Sequence, residues 1–346
     1  MTKPMLRTAL VLLASCCAAN AAPNTTPAVR SIALPDATAS GVSMDYIAYD
    51  REHHRVWVPA GNTGNVDVVD VTNDRVAKVG GFATSEVQRQ GKTRTVGPSS
   101  ATVGSGVVYV GNRGDSSVCA VDAESLRKGP CVKLESMPDA LVYVAAAKEV
   151  WATTPHDRSI TILDAASPSA LTVKAKITLE GAPEGFALDD PHGLFYTNLE
   201  DADRTLTIDV AQRKVTRTWL PHCGSQGPRG LALDRAANVL LVACTDRVKA
   251  LDVKHDGKEL SAIETGAGVD NIEYAESSHE VYVAAAVAAK MTIARVESNG
   301  TLKTEAVVPT AAGARNAVVT ADGTAYLTDS PEGRLLVFPA AARREH

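Results

Sequence analysis

At 346 residues, 45% apolar but only 4% aromatic, with a formal net charge of −5, the chain has length for two domains and too balanced a charge to select a polyanion. Neither a basic stripe nor a clustered Lys/Arg face appears, and with a pI near 5.9 this argues against nucleic acid or an acidic membrane surface as partner. The composition is that of a soluble β protein.

Residues 1–21 read as an export signal. Lys3 and Arg7 give a positive start, Ala9 to Ala14 an apolar stretch, and Ala19-Asn20-Ala21 a small-residue cleavage site. The stretch is too short to span a bilayer as a helix. A competing reading takes Leu13-Ala14-Ser15-Cys16, which resembles the lipobox of bacterial lipoproteins and would leave Cys16 lipidated. Both readings place the mature chain outside the cytoplasm, periplasmic or secreted, and predict no transmembrane helix.

From there one pattern fills the chain. Seven short apolar strands carry an aromatic residue or leucine at their second position: Trp57, Tyr109, Trp151, Tyr196, Leu241, Tyr282 and Tyr326. Successive copies are 41 to 45 residues apart, except for a first interval of 52. Each copy is preceded by a turn-like triplet such as Pro138-Asp139-Ala140, Pro183-Glu184-Gly185 or Pro228-Arg229-Gly230. Five copies are followed by an aspartate closing a second apolar run: Asp70, Asp122, Asp164, Asp209 and Asp252. A period near 45 with several short strands per unit predicts an all-β, seven-bladed β-propeller of four-stranded antiparallel blades, one domain over residues 29–340 with a polar tail at 341–346.

Two irregularities refine this. The last copy has one strand too few, and an unclosed ring would expose a sheet edge. The segment before the first copy, with Ile32 and Leu34 on one strand face, is the expected donor that closes the ring. The long first interval holds a polar insertion at residues 84–96, too hydrophilic for core and expected as a mobile loop on the face where inner strands begin. It is either a plain connection or a lid or partner contact.

After removal of the leader four cysteines remain, an even number in an oxidising compartment. Proximity across strands three and four of the second blade favours Cys119 with Cys131. Propeller geometry puts Cys223 and Cys244 at the same rim of the fifth blade.

The residue after each Pro-like position should face one mouth of the central channel: Asp45, Ser99, Asp139, Glu184, Arg229, Asp270 and Arg315. One reading of this ring is a ligand site, in which carboxylates hold Ca²⁺ or Mg²⁺ or the arginines grip an anion while an acid serves as base. The other is mutual neutralisation of arginines and acids. Nearby loops add Arg113, His156, Glu200 and His222, the two histidines being candidate bases or metal ligands. His53 and His54 belong to a turn on the opposite face.

Copies such as Val108-Tyr109-Val110-Gly111-Asn112 and Phe195-Tyr196-Thr197-Asn198 resemble the Tyr-Val-Thr-Asn repeat of the YVTN (YncE-like) β-propellers, from about Gly41 to Phe338. That resemblance implies an exported seven-bladed ring without one agreed chemistry, whose proposed roles centre on binding envelope proteins, nucleic acid or surface polymers. Motifs for zinc proteases, serine hydrolases, P-loops and c-type haem are absent from the sequence. The function expected is therefore a non-catalytic binding or scaffold module of the bacterial envelope, monomeric and without cofactor, recognising a protein, polymer or small molecule at the mouth. The alternative is a metal-dependent lactonase or hydrolase resembling gluconolactonase, in which Asp45 stands in place of that family's first-blade glutamate, with Asn271 and Asn316 adjacent to ring positions.

Overall fold

A computed structural model describes residues 29–89 and 91–340. The leader, Cys16 and the polar tail lie outside the described residues. Seven four-stranded antiparallel sheets follow one another around a ring. Their inner strands are Ala48–Asp50, Pro98–Gly104, Leu141–Val144, Pro183–Asp189, Leu231–Asp234, Val269–Ala275 and Ala314–Val319. No helix among the described residues is long and apolar enough to cross a membrane.

The repeat ruler has a packing cause. All seven second-position side chains, Trp57 through Tyr326, are buried to about 1% exposure or less. They feed seven apolar clusters, each shared by two neighbouring blades. Because every interface has its own cluster, the ring holds by blade-to-blade burial rather than by a single central core, and large flat side chains recur where two sheets must be bridged. The aspartates that follow also have a local reason. Asp70, Asp122, Asp164, Asp209 and Asp252 each accept a backbone N–H two or three residues on, from Thr72, Ser125, Ala166, Gln212 and Lys254, and so fold the turn into the outer strand.

Closure follows the expected route. Arg30–Ala33 pairs antiparallel with Arg334–Phe338, Ile32 opposite Leu335, and completes the seventh sheet. Ile32 and Leu34 are buried against Val56 and Val58 of the first blade and Val337 of the last. Cys119 stands directly opposite Cys131 on adjacent strands, and both expected cysteine pairs lie at bonding distance.

The insertion differs from the sequence expectation. Expected as a mobile loop, it contains regular structure: Ser85–Arg89 and Lys92–Val96 form a two-stranded antiparallel hairpin between blades one and two. Gly91, with φ of 74°, supplies the left-handed turn residue that a tight hairpin needs. The polarity that suggested a loop instead reflects two solvent-facing surfaces.

Truncation at the closing strand tests this architecture. Ile32→Ala should lower unfolding free energy by about 2–4 kcal/mol in urea denaturation, the usual cost of deleting a buried aliphatic side chain. An effect below about 0.5 kcal/mol, the ordinary range for surface changes, would mean the strand does not hold the ring.

Candidate functional site

Inner strands run away from the mouth, so their first residues set its charge. Several carry a bulge there: the ladder slips between Pro98 and Ser100, Glu184 and Phe186, Val269 and Ile272, and Arg315 and Ala317. An extra residue at this position re-aims side chains off the regular alternation. Gly185 at φ 68° and Asn316 at φ 60° take the left-handed conformation within the bulges. In blade one the strand starts late, and Tyr46 is held by its neighbour instead: its N–H donates to Ser99 O at 3.0 Å, and Ala101 N–H donates to Tyr46 O at 3.0 Å.

Most of the predicted ring residues enter one electrostatic system, organised by arginines from two sources. Arg113, from a loop of blade two, bridges Asp45 at 2.9 Å and Asp139. Arg315 pairs with Asp270 at 2.6 Å. Arg229 pairs with Glu200, from the loop over blade four. Asn316 Nδ2 donates to Asp45 Oδ1 at 3.1 Å, tying the last blade to the first. Ser99 is the exception among the ring residues. It is buried, with Gly111 O as its hydroxyl partner at 3.5 Å, and does not contribute to the mouth.

Glu184 is different from its neighbours. Among the described residues no cation lies within ion-pair distance of it. Burial, then the carboxylates of Asp270, Asp45 and Glu200, push it from 4.5 up to about 8, against the pull of Arg229. Asp270 is also raised by burial and Asp45, with Arg315 opposing. Burial alone would lower Arg315, but Asp270, Asp45 and Glu184 together hold it above its ordinary value. For the two acids burial is the largest cause, whereas for Arg315 the neighbouring acids outweigh it. Counting Asp45, Asp139, Glu184, Glu200 and Asp270 against Arg113, Arg229 and Arg315, acids outnumber cations by two.

Beneath the ring the channel narrows to a cavity of about 160 Å³ lined by Asp45, Tyr46, Phe186, Leu231, Ile272 and Glu273. Tyr46 and Phe186 stack at 6.4 Å, and Tyr46 accepts the Gly185 N–H at 3.2 Å. Burial first, then Glu184, Asp45 and Asp270, keep the Tyr46 phenol well above its ordinary value. Glu273, which lines this cavity, is pushed by burial to about 7, with the Val319 backbone and Arg51 opposing. A larger hollow, about 730 Å³, lies on the opposite face between blades six and seven, where Arg295 is already paired with Glu305 at 2.5 Å.

His156 and His222 are both exposed, His156 in a short 3-10 turn and His222 in a left-handed conformation beside Cys223. Neither is within hydrogen-bond reach of a ring carboxylate among the described residues. His53 is partly buried and sits 2.8 Å from Asp50 in its turn. No group of three or more His, Cys, Asp or Glu side chains among the described residues is placed to hold a metal ion.

No family model matches the chain, and no curated protein matches it in sequence. Solved structures do match in shape. Hydrazine synthase of Kuenenia stuttgartiensis aligns over 89% of this chain and 98% of its own at 14% identity, with a TM-score of 0.74. A streptogramin B lyase aligns over 90% and 96% at 12% identity and 0.69, and a chain of a mitotic checkpoint complex over 98% and 99% at 14% and 0.72. The chain has their propeller fold, and at such identity the likeness reaches no further.

Glu184 makes stability depend on pH. Between about 4.5 and about 8 the native protein keeps a proton that the unfolded chain has released, so this contribution is complete below about 4.5 and is lost as pH rises through about 8. Urea denaturation across that window should show falling stability in the parent, with a visibly flatter profile for Glu184→Gln. Parallel profiles would place Glu184 in an ordinary, hydrated environment.

Proposed function

We propose that this chain is an exported, non-catalytic binding propeller of the YVTN type whose channel mouth receives a cationic group, with Glu184 as the anchoring carboxylate. The observation that carries the reading is the unpaired Glu184 within a ring whose other acids each have a cationic partner. A ligand bearing an ammonium or guanidinium group would supply the missing countercharge and draw Glu184 into its ionised form. Charge-assisted hydrogen bonds of this kind are stronger than neutral ones, most of all where protein excludes water. The partner class is an envelope protein, a polymer or a small molecule carrying such a group. Export is supported by the leader-like residues 1–21 and by two cysteine pairs at bonding distance, which suit an oxidising compartment. The metal-dependent lactonase alternative would need a ligand set that the ring carboxylates, already engaged by arginines, do not offer together.

Thermal melting in the presence of methylguanidinium, butylammonium, Mg²⁺, Ca²⁺ and, as a control, citrate tests the reading. A ligand selective for the native state raises Tm with the logarithm of its concentration. The organic cations should raise Tm, more at pH 8.5 than at pH 6, and Glu184→Gln should remove most of the shift. Stabilisation by citrate alone would overturn the proposal, and stabilisation by Ca²⁺ or Mg²⁺ that EDTA reverses would favour the metal-dependent alternative.

A further inference from the structure

The hairpin beside the mouth segregates its charge. Residues opposite one another in an antiparallel ladder share a face, and alternate residues change face. Val87 faces Arg94 and Arg89 faces Lys92, so Arg89, Lys92 and Arg94 stand together on one side. Glu86, Gln88, Thr93 and Thr95 occupy the other, where Gln88 Nε2 donates to Thr93 at 2.7 Å. Arg89, Lys92 and Arg94 are all exposed, and none has an ion-pair partner among the described residues. Three unpaired cations on one face are conspicuous in a chain whose net charge is −5.

This hairpin is unfinished as a structural unit. A two-stranded ladder with both faces in water is marginally stable alone, and its two outer edges carry unpaired backbone groups. Its root, by contrast, is fixed. A Cβ on Gly114 would fall 2.1 Å from Ala83 O, and one on Gly97 would fall 2.2 Å from Gly61 O, so backbone meets backbone there without slack. Phe82 N–H donates to Gly64 O at 3.2 Å, and Arg113 N–H donates to Gly97 O at 2.8 Å. A rooted arm of five residues per strand, roughly 16 Å long at the usual rise, keeps its basic face in solvent, and among the described residues none of its cations pairs with the mouth of its own chain.

We infer that the basic face of this hairpin docks into the acidic mouth of a second copy of the chain, each copy offering one hairpin and one mouth in a two-fold, reciprocal pair. It departs from the monomer expected from sequence, and it rests on the reading of the mouth as a site for cationic groups. The occupant is argued from charge: the mouth has two more acids than cations and an unpaired Glu184, and the hairpin beside it carries the matching unpaired cations. Two-fold exchange uses the same two surfaces twice, which is the commonest closed symmetry of homo-oligomers. Electrostatic complementarity of this kind sets register and partner choice and weakens with salt.

Sedimentation equilibrium of the full chain tests the inference. At 20 mM NaCl the parent should associate to dimers with increasing concentration, and at 500 mM NaCl the dissociation constant should rise at least tenfold. The triple variant Arg89→Glu, Lys92→Glu, Arg94→Glu should be monomeric, as should Glu184→Gln combined with Glu200→Gln. Mixed one to one, these two variants should regain a weak heterodimer, because one intact hairpin then meets one intact mouth. A parent that stays monomeric at low salt up to millimolar concentration overturns the inference, as does a dimer that survives the triple variant. So does a dimer lost with the hairpin but untouched by the mouth variant. Each of these leaves the mouth reading standing if methylguanidinium still raises Tm through Glu184.

Discussion

Everything at the mouth depends on closure of the ring by a strand that comes from the other end of the chain. Arg30–Ala33 completes the seventh sheet, and Ile32 and Leu34 join its core to that of the first blade. A seven-part ring has no hub. Each blade is held by two neighbours, and an open interface would let the inner strands spread. Closure also brings Asn316 of the last blade to Asp45 of the first, so the acidic ring is continuous only because the sheet is.

Within that frame the electrostatics follow from crowding. Seven inner strands start at one mouth, and their bulged first residues bring charges together in a space with little room for water. Arginines from two loops and one inner strand offset most of the acid. Arg113, Arg229 and Arg315 are each committed to particular carboxylates, and among the described residues none of them forms an ion pair with Glu184. Its raised pKa is the electrostatic expression of that gap: burial and three neighbouring acids favour the proton, and the charge of Arg229 opposes it. A carboxyl perturbed in this way within a cleft is a candidate binding group.

The hairpin between blades one and two belongs to the same surface. Its root packs on the loop that supplies Arg113 and on the turn at Gly61, so the basic arm and the acidic ring share a rigid base. The closed ring thus carries an acidic mouth and, beside it, a basic arm whose cations are unpaired among the described residues.

Much of this architecture was legible in the chain itself. The recurring Trp57, Tyr109 and their counterparts announced seven blades because each must bridge two sheets. Asp70, Asp122 and their counterparts marked the turns because a short carboxylate can fold its own backbone. The short last copy pointed to Ile32 and Leu34 as the closing strand. These are local demands, repeated often enough to be read in order. The partnership of Arg113 with Asp45 and Asp139, the burial of Ser99 and the isolation of Glu184 are not local. They join residues tens to hundreds of positions apart, and a bulge of a single residue decides which side chain reaches the channel. The polar insertion likewise gave its composition to the sequence reading but not its ladder, since hydrophilic residues on both faces of a hairpin leave no apolar alternation to detect. Sequence determined the ring because packing repeats with a fixed period; only the tertiary structure decided which charges meet inside it, because that depends on where strand starts converge in space.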